Sequence, residues 1–285
     1  MFIICYNMPL NKVDEKIEVL QINEIYNAFY ESPLEITTDE NGYGYIEKEN
    51  ELTTLKVAFD GPEEDLESFK NNVSNLINET PVNVYEENYD YDDFSLPAID
   101  IDENWVLASP DEEIEGKNKI NFISQGAFGT GLHETTQDLL RVILSKDFSN
   151  KRVLDIGTGS GILSIATAIK GASEVVALDI RDVQDEVELN ASLNNLNNIK
   201  VFVGDALSNE VNIEGQFDWI YINIGGEETH MFMDFIKSHL KDNGTLLVSG
   251  LVEWSFDNIK SMVESNGFNM IEKHQSNEWV TAIFN

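Results

Sequence analysis

Short apolar runs alternate with helix-length amphipathic segments over the second half of the chain. The predicted strands are "RVLDIG", "EVVALDI", "KVFVGDA", "FDWIYINI", "TLLVSGL", "FNMIEKHQ" and "EWVTAIF". The helices predicted among them are "SGILSIATAIKG", "VQDEVELNASLNNL", "ETHMFMDFIKSHLKDNG" and "WSFDNIKSMVESNG". Strands that alternate with crossover-length helices require a mostly parallel sheet covered on both faces. The pattern therefore predicts an α/β protein with a doubly wound, mostly parallel, seven-stranded sheet.

The first 86 residues follow a different pattern. Strands are predicted at "MFIICYNM", "LEITT", "YGYIEK", "TTLKVAFDG" and "VNVYEE", with the second and third joined as a hairpin by Asp39-Glu40-Asn41-Gly42. Helices are predicted over residues 11–30, from apolar positions that include Ile25 and Phe29, and after Pro62. This βαββαβ-like order predicts a small α+β, ferredoxin-like domain.

Residues 87–125 are acidic and rich in turn-forming residues. One strand is predicted there, over Trp105-Val106-Leu107-Ala108, and the aromatic residues indicate that parts of the segment pack. We therefore expect three regions: a small α/β domain at 1–86, a linker with partial structure at 87–125, and a second domain at 126–285.

Composition and charge restrict the classes of partner. Lys and Arg total 18 against 52 Asp and Glu, for a formal net charge of −34. Such a field repels phosphate backbones and attracts a basic protein, although strong acidity is also a common solubility trait. No apolar run approaches the ~20 residues of a membrane span, and the N-terminus lacks an export signature. A single cysteine, Cys5, fits a buried thiol in a cytoplasmic protein.

The segment "VLDIGTGSGIL" runs from a strand through Gly157, Gly159 and Gly161 directly into a helix. Glycines at this position permit a tight turn and a close approach of the backbone to a ligand. The spacing is G-x-G-x-G, whereas a dinucleotide site has G-x-G-x-x-G, and no phosphate-loop lysine follows. Asp155, two residues before the turn, favours a ligand that ends in an amino acid over one that ends in a diphosphate, because its carboxylate can then meet the ammonium group.

Acidic residues end the next two strands. Asp179 follows "VVAL" and can accept hydrogen bonds from both hydroxyls of a ribose, and Asp205 in "GDA" can accept from an adenine amino group. Each acid alone is as well explained as a solvated strand end or a helix cap. Together with the glycine turn they indicate a nucleoside amino acid, S-adenosylmethionine.

The second half of the chain resembles the class I S-adenosylmethionine-dependent methyltransferases, and specifically the ribosomal protein L11 methyltransferase family. The resemblance runs from Trp105 to the C-terminus, on "AFGTGLHETTQ", "VLDIGTGSGILSIA", "VVALDI", "YINI", "VSGL" and "EWV". It implies transfer of methyl groups to amino groups of ribosomal protein L11, on lysine side chains, the N-terminus or both. It also implies a small N-terminal domain that recognises that protein.

The resemblance implies the roles of particular residues around S-adenosylmethionine. Phe128 packs near it, the Thr135–Thr136 pair, chiefly Thr136, hydrogen-bonds it, Gly157 approaches its methionine part, Asp179 binds its ribose, and Asn223 lies near its methyl group. Gly159 in the glycine turn and Asp205 after the third strand, chosen from the residues alone, complete the set expected to bind the cofactor. No residue is assigned as a catalytic base.

The remaining histidines and methionines are expected to have structural roles. His133 is expected to form a hydrogen bond within its loop. His230, His239 and His274 are scattered along the chain without a cysteine cluster, so no metal site is predicted. Trp219, Met231 and Met233 are expected in the core.

Two segments depart from the family pattern. "INIGGEETH" is glycine-rich and acidic where the family is commonly apolar, and "IRDVQDE" lacks the usual Asp-Pro turn. The first departure leaves open a related methyltransferase that acts on another protein or a small molecule. A cofactor-binding module without transfer activity is a separate alternative.

Overall fold

The computed structural model describes the chain except for residues 24, 32–33, 40–41, 49–50, 87–96, 126–128 and 209. The chain divides into two compact units. Met1–Thr38 and Tyr43–Phe94 form the first unit, and Asp39–Gly42 groups with Ser95–Asn285 in the second. Among the described residues, no helix is both long and apolar enough to cross a membrane.

The first unit is an antiparallel sheet with two helices. Its elements are β1 (Phe2–Pro9), a 3-10 turn (Leu10–Lys12), α1 (Val13–Ile22), β2 (Ala28–Phe29), β3 (Leu34–Thr38), β4 (Tyr43–Glu47), β5 (Leu52–Phe59), α2 (Glu63–Ile77) and β6 (Asn83–Glu86). The main sheet has the order β2-β5-β1-β6, and β3 pairs with β4 as a separate hairpin. With the hairpin set aside, the order of elements is βαββαβ, so the predicted ferredoxin-like arrangement is confirmed.

The first predicted helix is too long. Helix α1 ends at Ile22 and Asn23 caps it, because the Asn23 side chain donates to the Val19 carbonyl oxygen at 2.8 Å. Ile25 then packs into the core from a turn, and Phe29 lies in the short strand β2. The apolar residues at helical spacing beyond Ile22 therefore belong to the core and to a strand.

The second unit is an α/β fold. Its elements are β7 (Ile99–Asp100), β8 (Trp105–Ala108), β9 (Asn118–Asn121), α3 (Glu134–Ser145), β10 (Arg152–Ile156), α4 (Ile162–Ile169), β11 (Glu174–Asp179), α5 (Gln184–Leu193), β12 (Ile199–Val203), β13 (Phe217–Asn223), α6 (Gly226–His239), β14 (Leu240–Val252), α7 (Glu253–Ser265), β15 (Met270–Ser276) and β16 (Trp279–Phe284). Within the described residues a seven-stranded sheet has the order β12-β11-β10-β13-β14-β16-β15. Its first five strands are parallel, and β16 is antiparallel to both of its neighbours.

Both faces of this sheet are covered, as predicted. Along β10, Val153 packs in one core cluster with α3 and α4, whereas Leu154 and Ile156 pack in the other with α6 and α7. The alternation follows from the pleat of the strand, which sends successive side chains to opposite faces. The predicted doubly wound sheet is confirmed.

Several boundaries differ from the prediction. Helix α6 ends at His239, five residues before Gly244, and strand β14 begins at Leu240. Helix α3 was not predicted. Strand β8 occupies the predicted residues and forms a small sheet with β7 and β9, and this sheet groups with the second unit.

Candidate functional site

A cavity of about 510 Å³ opens at the carboxyl ends of β10, β11, β12 and β13. From β10 the chain adds β11 and β12 on one side, and then crosses back to add β13 on the other side of β10. Open α/β sheets bind ligands at such a reversal point, here between β10 and β13. The lining residues are Ile156, Gly157, Gly159, Leu178, Asp179, Ile180, Arg181, Gly204, Asp205, Ala206, Leu207, Asn223, Ile224, Glu228, Met231 and Phe232. Five of the predicted site residues, Gly157, Gly159, Asp179, Asp205 and Asn223, are among them.

The glycine turn forms the floor of the cavity between β10 and α4. Gly157 has φ +70° and Gly161 has φ +77°, a backbone region that favours glycine. The N–H groups of Gly157 and Thr158 both donate to the Leu178 carbonyl oxygen, at 2.8 and 3.0 Å. The turn is therefore fixed to the adjacent strand β11, and a Cβ at Gly157 would lie only 2.6 Å from the Ile224 side chain.

Asp155 lies beneath the turn and does not line the cavity. Its carboxylate is 1% exposed and accepts hydrogen bonds from the hydroxyls of Thr158 and Ser164, both at 2.8 Å. Burial raises the pKa of the Asp155 carboxyl to about 6, against the opposing effect of the two hydroxyl hydrogen bonds. The expectation that Asp155 meets the ligand is therefore wrong; its carboxylate instead ties the turn to helix α4.

Asp179 joins the end of β11 to the glycine turn. One carboxylate oxygen accepts from the Gly159 N–H at 2.9 Å, and the other accepts from the Arg181 N–H at 3.0 Å. The Arg181 guanidinium lies 3.9 Å from the same carboxylate. The side chain of Asp179 is largely buried while lining the cavity, so its orientation is set before any ligand binds.

Asp205 follows β12 and lines the cavity at its far edge. Its carboxylate accepts from the Leu207 N–H at 2.8 Å, and its own N–H donates to Glu210 at 3.0 Å. These two bonds hold the loop after β12 in a compact turn. The arrangement leaves carboxylate oxygen available to accept a further hydrogen bond at this edge.

Asn223 is the last residue of β13. Its side-chain oxygen is buried and has no hydrogen-bond partner among the described residues. A buried acceptor without a partner costs about 1–3 kcal/mol. A ligand that donates a hydrogen bond at this edge of the cavity would remove that cost.

The loop before α3 is held at both ends. The Ser160 hydroxyl donates to the Gly129 carbonyl oxygen at 2.8 Å, which fixes the loop on the glycine turn. His133 caps α3, because its ring nitrogen Nδ1 lies 2.8 Å from the Thr135 hydroxyl and accepts from the Thr135 N–H. The expected structural role of His133 is confirmed. Phe128 lies outside the described residues.

The two adjacent threonines in the first turn of α3 differ. Neither Thr135 nor Thr136 is among the residues that line the cavity, and both are almost fully buried. The Thr135 hydroxyl takes part in the cap of α3, whereas the Thr136 hydroxyl has no hydrogen-bond partner among the described residues. Of the pair, Thr136 is the one with unused hydrogen-bonding capacity.

The segment that leads into this loop is bound to helix α5. Asn190 accepts from the Ile123 N–H at 2.9 Å and donates to the Ile123 carbonyl oxygen, and Glu186 accepts from the Gln125 N–H at 3.0 Å. These side chains were not predicted as important. The available signal was their spacing, since Glu186 and Asn190 are four residues apart and each precedes an apolar residue of the buried face, Val187 or Ala191.

Helix α6 supplies lining residues that the sequence did not predict. Glu228, Met231 and Phe232 all line the cavity. The expected core position of Met231 is wrong, because its side chain is 59% exposed, whereas Met233 on the same helix is buried as expected. Trp219 packs against the core as expected. Over the described residues, no three His, Cys, Asp or Glu side chains gather in a group that could hold a metal ion.

The strand order and the glycine turn after β10 define the fold of a class I S-adenosylmethionine-dependent methyltransferase. The Ribosomal protein L11 methyltransferase (PrmA) family profile matches residues 15–285. The chain belongs to that family.

Individual relatives agree with this assignment. The ribosomal protein L11 methyltransferase of Fusobacterium nucleatum is 42% identical over 161 residues, which are 55% of this chain and 51% of that protein. The ribosomal protein L11 methyltransferase of Thermotoga neapolitana is 34% identical over 182 residues, which are 62% of this chain and 67% of that protein. The matched part thus spans about half the length of the Fusobacterium relative and two thirds of the Thermotoga relative.

One solved structure is similar over most of its own length. The crystal structure of ribosomal protein L11 methylase from Lactobacillus delbrueckii subsp. bulgaricus superposes with a TM-score of 0.59 at 28% identity. The matched region covers 66% of this chain and 97% of the Lactobacillus chain.

Proposed function

We propose that this protein is an S-adenosylmethionine-dependent methyltransferase that modifies amino groups of ribosomal protein L11. The observation that carries the proposal is the convergence of Gly157, Asp179, Asp205 and Asn223 on one cavity. These residues come from four different strand ends, and each was predicted to bind the cofactor from the sequence. Membership of the L11 methyltransferase family supports the same conclusion.

The chemistry of the cavity fits this cofactor. The strands that end there lie in the order β12, β11, β10, β13, spaced roughly 4.8 Å apart, so the lining groups form a row. Along that row we assign Asp205 to the adenine, Asp179 to the ribose, Gly157 and Gly159 to the methionine part, and Asn223 to the methyl end. The partnerless oxygens of Asn223 and Thr136 supply hydrogen-bonding capacity that the protein itself does not use. From the family resemblance we also assign Thr135 and Thr136, in the first turn of α3, to the cofactor site.

The charge of the protein supports a basic protein substrate. Its net charge of −34 attracts and steers a cationic partner and opposes direct binding to nucleic acid. The relatives described above are named for methylation of ribosomal protein L11. We therefore assign L11 as the substrate and the cytoplasm as the location, with amino groups of lysine side chains, the N-terminus or both as the acceptors.

The residues of the chain contribute mainly position and exclusion of water. When bound, S-adenosylmethionine supplies a methyl group on a sulfonium. The sulfur leaves as a neutral thioether, so the leaving group needs no proton. Holding the acceptor nitrogen in line with that methyl group is worth about 7–11 kcal/mol in effective concentration. A lysine must first lose its proton, which costs about 4–5 kcal/mol at neutral pH from its ordinary pKa of about 10.4. Asn223 can orient the neutral amine through its partnerless oxygen.

A labelling experiment tests the proposal. The purified protein is incubated with S-adenosylmethionine carrying a radioactive methyl group, with unmethylated L11 in one reaction and a cell extract in another. Label in L11 is the expected result. Label in a different protein or in the small-molecule fraction would show that L11 is not the substrate, although the protein is a methyltransferase. Tight cofactor binding without any label would leave a cofactor-binding module and overturn the proposal.

A further inference from the structure

Helix α6 presents one charged and two apolar side chains to the cavity. Glu228, Met231 and Phe232 are spaced three and four positions apart, so they share one face of the helix. Ile224, just after β13, lines the cavity beside them. The wall next to Asn223 is therefore apolar with a single carboxylate set into it.

The glycines before α6 make room for this carboxylate. A Cβ at Gly225 would lie 2.7 Å from a Glu228 carboxylate oxygen. The Gly225 carbonyl oxygen accepts from both the hydroxyl and the N–H of Thr229, at 2.6 and 3.1 Å. The backbone just before Gly225 also passes close to Gly250, where a Cβ would lie 3.2 Å from Ile224. The Glu228 carboxylate therefore rests over a fixed, side-chain-free position two residues beyond Asn223.

Glu228 differs from the other charged groups of the cavity. Asp179 accepts from two N–H groups and lies beside Arg181, and Asp205 accepts from the Leu207 N–H. Within the described part of the chain, Glu228 has neither a hydrogen bond nor an ion pair, although its side chain is partly buried. Its carboxylate oxygens therefore keep their capacity to accept hydrogen bonds from a ligand.

We propose that Glu228 binds the cationic amino group of the substrate at the methyl-transfer end of the cavity. This inference rests on the proposed function and identifies the residue that recognises the acceptor amine. An ammonium offers three donors and a positive charge to the carboxylate. Ile224, Met231 and Phe232 supply apolar surface for the carbon chain that carries the amine, as amphipathic lysine side chains prefer.

The same contact has an opposite effect on the chemical step. A carboxylate beside an ammonium stabilises the protonated form and raises the pKa of the amine. Because only the neutral amine can attack a methyl group, Glu228 favours binding and does not favour reaction. Removing its charge is therefore expected to weaken substrate binding without lowering the turnover number.

The test compares Glu228→Gln with Glu227→Gln. Glu227 is the neighbouring residue on the same helix turn, and it is exposed and does not line the cavity. For each variant we would measure the affinity for S-adenosylhomocysteine, the affinity of the S-adenosylhomocysteine-loaded protein for unmethylated L11, and KM and kcat against pH. Gly225→Ala is a second variant, since the added methyl group displaces the Glu228 carboxylate.

For Glu228→Gln we expect L11 affinity to fall and KM to rise on the order of tenfold, as for loss of one charge-assisted hydrogen bond. S-adenosylhomocysteine affinity stays unchanged, kcat at neutral pH does not fall, and the rise of kcat with pH moves to lower pH. Gly225→Ala should show the same fall in L11 affinity and the same rise in KM, and Glu227→Gln should show neither.

Three results would overturn the assignment. Equal KM values for the two glutamine variants would remove Glu228 from substrate recognition while the proposed function stands. An equal loss of S-adenosylhomocysteine affinity would assign it to the cofactor. A fall in kcat alone would make it a base. If the wild-type protein transfers no methyl group to any amine, the proposed function fails and this inference fails with it.

Discussion

The Asp179 carboxylate accepts a hydrogen bond from the Gly159 N–H at 2.9 Å and so joins the end of β11 to the turn after β10. The second carboxylate oxygen accepts from the Arg181 N–H, which leaves the side chain in one orientation. The acid that we assign to the ribose is therefore positioned by the same turn that we assign to the methionine part. The two subsites are coupled through one hydrogen bond.

Asp179→Ala is expected to weaken S-adenosylhomocysteine binding about 100-fold or more, equivalent to roughly 3 kcal/mol, because it removes two charge-assisted acceptors from the cavity. Calorimetric titration of the purified variant measures this loss. The control is Asp185→Asn, a change of an exposed carboxylate in the first turn of α5. Equal affinities for Asp179→Ala and wild type would contradict the assignment of the ribose site.

Thr136→Val and Thr135→Val are expected to separate binding from stability. The Thr136 hydroxyl has no partner among the described residues, so its removal should leave the melting temperature equal or higher while cofactor affinity falls. The Thr135 hydroxyl bonds the capping His133, so its removal should cost about 1 kcal/mol of stability. Thermal melts and cofactor titrations of both variants provide the comparison, and unaltered cofactor affinity in Thr136→Val would count against its role.

Gly157→Ala and Gly116→Ala share the cost of a left-handed backbone, at φ +70° and +79°. Each should lose roughly 1–2 kcal/mol of stability. No atom of the described residues lies within 4 Å of a Cβ at Gly116, whereas a Cβ at Gly157 would push the Ile224 side chain, which lines the cavity. We therefore expect only Gly157→Ala to lose cofactor affinity in titrations, and equal affinities for the two variants would argue against a ligand above the turn.

The buried Asp155 predicts a pH dependence of stability. Its pKa is about 6 in the folded protein against the 3.8 of an ordinary aspartate, so between these pH values the folded state holds the extra proton. The free energy of unfolding therefore falls as pH rises through this window, by up to about 3 kcal/mol from this group, and is constant above it.

Asp155→Asn removes that dependence. The stability of the variant relative to wild type should increase from about pH 4 to about pH 6, as measured by urea unfolding across the range. Asp257→Asn, a change of an exposed residue on α7, is the control. A relative stability of Asp155→Asn that is flat with pH would show that the burial of Asp155 has no such cost.

The glycine turn and the acids at the strand ends could be predicted because they depend on local geometry. A turn that needs positive φ is recognised by its glycines, and an acid at the end of a buried strand is recognised by the apolar run before it. The buried position of Asp155 was also predictable, because successive side chains of a strand alternate between faces. Asp155 therefore shares a face with Val153, which packs towards α3 and α4.

Other features depend on tertiary structure. Helical spacing shows that Glu228 and Met231 share a face but not that this face meets an opening, which depends on the order of the strands. The true end of α1 had a local signal in Asn23, but the apolar residues beyond it, Ile25 and Phe29, continued the helical spacing. Periodicity alone could not separate a helix face from a buried turn followed by a strand.

Every described residue that lines the cavity comes from the second compact unit. A compound held there adds its binding free energy to the unfolding of that unit and makes no lining contact with the first. Where the two units melt separately in a scanning experiment, saturation should move one thermal transition upward and leave the other in place. The division of the chain thus provides an internal reference for cofactor occupancy within a single molecule.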